Sequence, residues 1–471
     1  MESMNQNIVK LQYAVRGPLV TRALQLEAEL AKGSKKPFKQ VIKANLGDCH
    51  AMGQTPITFI RQVLALVIYP DLISCINVPD DVKKRAQDIL NACGGKSAGA
   101  YTGSHGIDMI RKNVANYIKN RDGYDSDFNN ICLSGGASAA IKYVMELFCN
   151  NPCKKSGVMI PIPQYPLYSA SIAQFGLEPV GYYLDEDNNW ALDVSELQRA
   201  IKEAESRCQV RAIVVINPGN PTGSVLSPDN VKTIIKFAKE HNLFIFADEV
   251  YQDNVYPSDM KFVSFKKVMM EMGSPFSEME VASFMSLSKG YMGECGLRGG
   301  WMELVNMDKD VQAHLFKAIS SNLCPTSLGQ AGMDCVAKPP APGEPSHERW
   351  LGEKSAVLAS LKSRAKLAAD AFNAMPGFKC NEVRGAMYAF PRFEIPKKAI
   401  EEAKKQNKAA DVFYAFKLLE ETGICVVAGS GFGQKPGTYH FRTTILPQPK
   451  LLKEMLDIFK NFQEKFLKEF S

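Results

Sequence analysis

The chain has no run of the ~18 apolar residues that a membrane helix requires. Even the stretch 59–73 is broken by Arg61, Gln62, Pro70 and Asp71, so a membrane protein is not expected. The start, Met1-Glu2-Ser3-Met4-Asn5-Gln6, has neither the apolar core of a signal peptide nor the arginines of an amphipathic presequence. Cytoplasmic residence is the expectation, with the mitochondrial matrix as the alternative. None of the 12 cysteines forms a CxxC pair, a usage that suits reduced intracellular thiols better than a disulfide frame. The six histidines make no HExxH or other ligand spacing, and no metal site is expected. Neither sign of charge dominates: 56 basic residues face 50 acidic ones. The densest basic pairs, Lys397-Lys398 and Lys404-Lys405, are interrupted by acids and aliphatics, a solvated helix face and not a nucleic-acid surface. Internal repeats and low-complexity tracts are missing too.

What is present is 45% hydrophobic side chains over 471 residues, enough for two or three domains at the usual ~150 residues each. Through the middle of the chain, short apolar runs bounded by turn residues alternate with helical periodicity. That pattern predicts an α/β fold, a mostly parallel sheet with helices on both faces. Strands are expected over 130–133, 157–160, 179–183, 212–216, 244–247 and 282–286, and helices over 137–149, 194–206 and 228–241, the last capped by Ser227. The proline-dense stretch Lys338-Pro339-Pro340-Ala341-Pro342-Gly343-Glu344-Pro345 can continue neither a helix nor a central strand. It marks the clearest boundary. The reading is an N-terminal arm and part of a small domain over 1–75, a large domain over 76–338, and a smaller α+β domain over 339–471. In the last, strands are expected at 386–390 and 440–445, and a terminal amphipathic helix at 450–470.

Ligands of open α/β sheets bind beyond the carboxyl ends of the strands, and the polar residues of interest fall at such ends. Lys289 follows the strand ending at Ser286. A lysine in a partly desolvated pocket has the lowered pKa that imine chemistry with an aldehyde cofactor requires, although most lysines are simply solvated. Asp248 ends an apolar run, where it can keep a pyridine nitrogen protonated, while Glu249 points to the other face. Tyr251 and Asn220 are candidate donors to a ring oxygen; the loop carrying Asn220 also reads as a plain turn. Ser134-Gly135-Gly136-Ala137-Ser138 opens a helix, where free N–H groups at Ala137 and Ser138 make a phosphate cup, completed by Ser286 and Arg298. A glycine-rich helix start is also common without a ligand. Tyr165 is a candidate to stack on the ring, with core packing as its alternative. Arg442 lies in an apolar strand, an expensive place for a guanidinium without an anion. A substrate carboxylate suits it, and so does an internal salt bridge. Asn45 and Gly47 stand where they can close over the same substrate, and Asn220 joins that set. Together these residues predict a pyridoxal 5'-phosphate site. Two other glycine-rich segments, Gly94-Gly95-Lys96-Ser97 and Gly429-Ser430-Gly431-Phe432-Gly433, lack the context of a nucleotide loop.

The ordered segments 134–138, 217–223, 248–251 and 286–289, with Arg298 and Arg442, resemble the fold-type I pyridoxal-phosphate aminotransferases of the aspartate aminotransferase superfamily. Stretches 162–168, 248–256, 289–296 and 429–434 are similar to its alanine-using branch, and the resemblance runs from about Gly17 onward. It implies a seven-stranded α/β/α domain beside a smaller α+β domain. It implies transfer between small amino and keto acids, L-alanine and 2-oxoglutarate giving pyruvate and L-glutamate. It also implies a homodimer with the site at the interface, Tyr101 reaching the neighbour's cofactor phosphate. Two alternatives stay open. One is a pyridoxal-phosphate aminotransferase or carbon–sulfur lyase acting on another amino acid; the other is a ligand-sensing protein without catalysis, for which the stretch before Asn45 offers little room for a DNA-binding module.

Overall fold

Apolar runs buried on both faces form strands where the alternation indicates. In the computed structural model, which describes residues 3–471, these are β1 (Ile131–Ser134), β2 (Ser156–Ile162), β3 (Glu178–Tyr183), β4 (Gln209–Ile216), β5 (Phe244–Asp248), β6 (Val281–Ser286) and β7 (Gly300–Val305). Met1 and Glu2, at the start of the expected N-terminal arm, lie outside the described residues. The seven form one sheet of order β1-β7-β6-β5-β4-β2-β3. Strands β3, β2, β4, β5 and β6 run parallel, and β7 lies antiparallel between β6 and β1. Alternate residues of each strand face opposite layers: Ala212 and Val214 pack with the helix Ala137–Glu146, Ile213 and Val215 with the helix Pro228–Glu240. Ser227 caps the latter, its hydroxyl accepting from the Asn230 amide at 3.2 Å.

The one strand of this sheet that hydropathy alone did not mark is β7. Glu303 interrupts its apolar run, yet is buried, because the buried Lys266 ammonium donates to it at 2.5 Å and Ser126 donates as well. A paired carboxylate tolerates a central strand that a bare one would not.

Beyond the long helix His347–Asn373 come β8 (Phe378–Lys379), β9 (Tyr388–Ala389), β10 (Arg392–Phe393), β11 (Val427–Ala428) and β12 (Phe441–Thr444), and the helix Pro449–Phe470 closes the chain. β12 lies antiparallel between β11 and β9. The run expected at 386–390 is extended only over β9, since Ala386 sits at φ +57°. Phe372, Phe378, Phe393, Tyr414, Phe441 and Phe459 form an aromatic core under this small sheet. The N-terminal segment joins it: the Cys425 amide donates to Ile42 and the Thr444 amide to Ala44. That pairing carries Asn45 and Gly47 to the ends of the parallel strands.

Candidate active site

Between the carboxyl ends of β4, β5 and β6 and the small sheet lies a cavity of about 530 Å³. Its wall includes Gly47, Ala137, Ser138, Tyr165, Asn220, Asp248, Tyr251, Ser286, Lys289, Arg298 and Arg442. Residues from seven separate chain segments therefore converge there. Two of the sequence candidates do not reach the wall. Tyr101 is 78% exposed elsewhere on the surface. Asn45 contributes its carbonyl to Arg442, while its side-chain amide is buried without a hydrogen-bond partner among the described residues.

Lys289 follows β6 in a turn pinned by Asn254, whose amide accepts from the Gly290 N–H at 3.0 Å and donates to the Gly290 carbonyl at 3.3 Å. Its Nζ donates to the Gly47 carbonyl at 2.8 Å. A Cβ at residue 47 would collide with the Tyr388 hydroxyl and stand 3.1 Å from that Nζ, so only glycine allows this approach. The depressed amine pKa expected from desolvation is not what the pocket produces. Burial does disfavour the charge, but the Tyr388, Cys295 and Cys49 side chains outweigh it and hold the amine above its ordinary value. A low value would have to come from the cofactor's own chemistry.

Asp248, at the end of β5, accepts from the Tyr168 hydroxyl at 2.8 Å. Burial pushes this carboxyl up to about 6, against the Tyr168 hydroxyl, the Val250 amide and Lys289. No cation is hydrogen-bonded to it among the described residues, and a protonated ring nitrogen would relieve its desolvation. Glu249 turns away into the opposite layer, where it accepts from the Phe265 amide at 2.9 Å and faces Arg121 at 3.8 Å.

The helix Ala137–Glu146 begins at Gly136, whose φ is +88°. A Cβ there would lie 2.5 Å from the Arg298 Nη2. Arg298 is itself left-handed, at φ +53°, and its guanidinium donates to the carbonyls of Cys295 and Gly135. With Ser286 at the neighbouring strand end, these groups leave a small concave space lined by N–H donors and one cation. Gly136→Ala should therefore raise the dissociation constant for pyridoxal phosphate at least about tenfold, since the added methyl would push away the Arg298 guanidinium and cost about one hydrogen bond to a charged group. Titration of the apoprotein with the cofactor measures it, and an unchanged affinity would deny the cup this role.

Arg442 is 1% exposed and has no carboxylate within ion-pair distance among the described residues, which removes the internal salt bridge as its explanation. Its guanidinium is sandwiched, 4.2 Å from the Tyr388 ring centre and 4.8 Å from that of Phe432. Nη1 donates to the Asn220 side-chain oxygen at 3.1 Å and Nη2 to the Asn45 carbonyl at 2.6 Å. Nε has no partner. A buried cation held at fixed orientation with donors to spare is built for a planar anion.

Two wall residues, Tyr388 and Tyr13, and one residue behind the wall, Tyr168, escaped the sequence reading. Tyr168 lies on the short helix Leu167–Gln174, which begins just after Tyr165, and only its contact with Asp248 singles it out. Tyr388 comes from β9 and links Arg442 to the Tyr251 hydroxyl at 3.2 Å. Tyr13 comes from the N-terminal segment, its hydroxyl 2.9 Å from that of Tyr165. Nothing local in the sequence marks either of the last two.

A lysine turn, a buried acid, a helix-start cup and a buried arginine converge in one cavity of a fold-type I α/β scaffold. The family model for aminotransferase class I and II matches residues 68–459, and the chain belongs to that family. Its relatives include alanine aminotransferase 2 of Xenopus tropicalis, 55% identical over all of this chain and 90% of that protein. Alanine aminotransferase 1 of Homo sapiens is likewise 55% identical, over all of this chain and 96% of its own length. Among solved structures, an aminotransferase from Escherichia coli superposes with a TM-score of 0.76 at 25% identity over 98% of each chain. An alanine aminotransferase from Pyrococcus furiosus gives 0.77 at 22% identity, over 98% of this chain and all of that one.

Proposed function

We propose that this chain transfers the amino group of L-alanine to 2-oxoglutarate, releasing pyruvate and L-glutamate in a ping-pong cycle that uses pyridoxal 5'-phosphate. The observation that carries the reading is the buried, acid-free Arg442 in the same cavity as Lys289 and Asp248, in a chain 55% identical over its whole length to alanine aminotransferases.

The cofactor, when bound, supplies an electron sink that stabilises negative charge at the substrate Cα. Lys289 would carry it, Asp248 would pair with its ring nitrogen, and Tyr251 and Asn220 would donate to its ring oxygen. Ala137, Ser138, Ser286 and Arg298 would take the phosphate, with the Tyr165 ring against one face. Arg442 holds the substrate α-carboxylate and so fixes how Cα is presented. The Lys289 Nζ takes the Cα proton as general base and gives it back as general acid. Walls from both the large sheet and the small one keep water from that proton.

Asp248→Asn should lower kcat/KM for alanine at least roughly 100-fold while the protein stays folded, because a neutral amide no longer stabilises the charge that develops in the ring. Steady-state rates with equal cofactor occupancy measure the loss; a rate within a few-fold of wild type would remove Asp248 from this role. The substrate assignment is tested by pyruvate release from alanine that depends on 2-oxoglutarate. Release of a keto acid without any keto-acid acceptor would favour a lyase, and faster exchange with another amino donor would move the substrate.

A homodimer goes with this reading, Tyr101 reaching the neighbour's cofactor phosphate; its exposure is in keeping with a residue that serves another subunit. Sedimentation of the holoprotein at twice the chain mass is the expected result, and a monomer with full activity would rule the arrangement out.

A further inference from the structure

If the cavity serves both L-alanine and 2-oxoglutarate, the activity on which this inference rests, it must hold a methyl group in one half of the cycle and a second carboxylate in the other. Among the described residues, three cations line it: Lys289, Arg298 and Arg442. The first two belong to the cofactor and the third to the α-carboxylate that every substrate shares. Within this chain's own wall, a distal carboxylate is left to neutral donors.

The wall has one unassigned pair of them. The Tyr13 and Tyr165 hydroxyls stand 2.9 Å apart, either able to donate to the other. In each arrangement one O–H is used within the pair and the other has no acceptor among the described residues. Tyr165 is near enough to Arg442 to feel its charge. Burial pushes the Tyr165 phenol up, the Tyr13 hydroxyl adds to the effect, and the Arg442 charge opposes it, so the group stays a protonated donor at neutral pH. Tyr13 also enters from the N-terminal segment and lines the cavity.

We propose that the paired hydroxyls of Tyr13 and Tyr165 receive the distal carboxylate of L-glutamate and 2-oxoglutarate, which makes Tyr13 the residue that gives the cavity its dual specificity. The chemistry favours hydroxyls over a further arginine. A guanidinium reserved for the distal carboxylate would be left buried and unpaired whenever alanine is bound, a costly state. Two hydroxyls turn outward to donate to an anion and close on each other when a methyl group takes its place, which leaves one neutral O–H without an acceptor, a smaller cost than an unpaired buried guanidinium.

Tyr13→Phe keeps the ring that lines the cavity and removes the hydroxyl. In the holoenzyme the KM values for 2-oxoglutarate and L-glutamate should rise about tenfold, the scale of one hydrogen bond to a charged group, with those for L-alanine and pyruvate moving far less. Calorimetric titration of the holoenzyme with glutarate and with butyrate gives a reading free of turnover: wild type should prefer the dicarboxylate and the variant should lose most of that preference. An equal rise for all four substrates, or an unchanged preference for glutarate, would overturn the proposal. Wild-type protein that does not exchange alanine with 2-oxoglutarate at all would fail earlier, and would overturn the functional reading beneath it.

Discussion

Lys289→Ala should leave a folded protein whose transamination rate is lower by at least roughly 10⁴-fold, the upper end of what a positioned acid–base group contributes, since the same amine also carries the cofactor. The fold should survive because, among the described residues, Lys289 makes no ion pair and its single hydrogen bond goes to the Gly47 carbonyl. The turn that presents it is held instead by Asn254 and Gly290. Removing a buried amine with no acid partner leaves no stranded carboxylate behind, and the thermal midpoint should move little. Pyruvate formation and a melting curve on the same preparation separate the two effects. Appreciable transamination by the variant would exclude Lys289 as the proton-transfer group, and a lost melting transition would mean that its role is structural.

Arg442→Lys should lower kcat/KM for alanine and for glutamate alike, by about 10²–10³-fold, the scale for truncating one partner of a buried charged pair. The substitution keeps the charge and loses the geometry. A guanidinium offers five N–H donors; two are committed to Asn220 and Asn45, which leaves three for a substrate carboxylate. An ammonium is a point charge that cannot bind bidentately, and it does not fill the plane between Tyr388 and Phe432. Slow amine transfer from ethylamine, which has no carboxylate, should be unaffected by the change. Equal losses for ethylamine and alanine would show that Arg442 supports the cavity without holding substrate.

Much of this site was legible in the chain because a polar residue at the end of an apolar strand is costly unless it has work to do. Asp248 closes Leu243-Phe244-Ile245-Phe246-Ala247, Lys289 follows a buried strand, and Arg442 interrupts another. Strand β7 was not legible, since the pairing of Glu303 with Lys266 joins residues far apart in the sequence and hydropathy counts a paired carboxylate as polar. Tyr168, Tyr388 and Tyr13 were missed for a related reason: a tyrosine is ordinary core material until a distant segment gives its hydroxyl a partner. The lysine environment went the other way. Burial alone predicts a depressed amine, but the tyrosine and cysteine side chains around Lys289 reverse the sign, and those neighbours come from other segments. Phe432 shows the same limit, because its glycine-rich surroundings drew attention to the backbone whereas its ring packs on Arg442.

The most direct test of the functional reading is a single half-reaction. Holoenzyme mixed with L-alanine in the absence of any keto acid should release one pyruvate per bound cofactor and then stop. The cofactor's absorbance should shift as it does so, and both should be restored by 2-oxoglutarate. Continued pyruvate release without an acceptor, or an absorbance that ignores alanine, would contradict it.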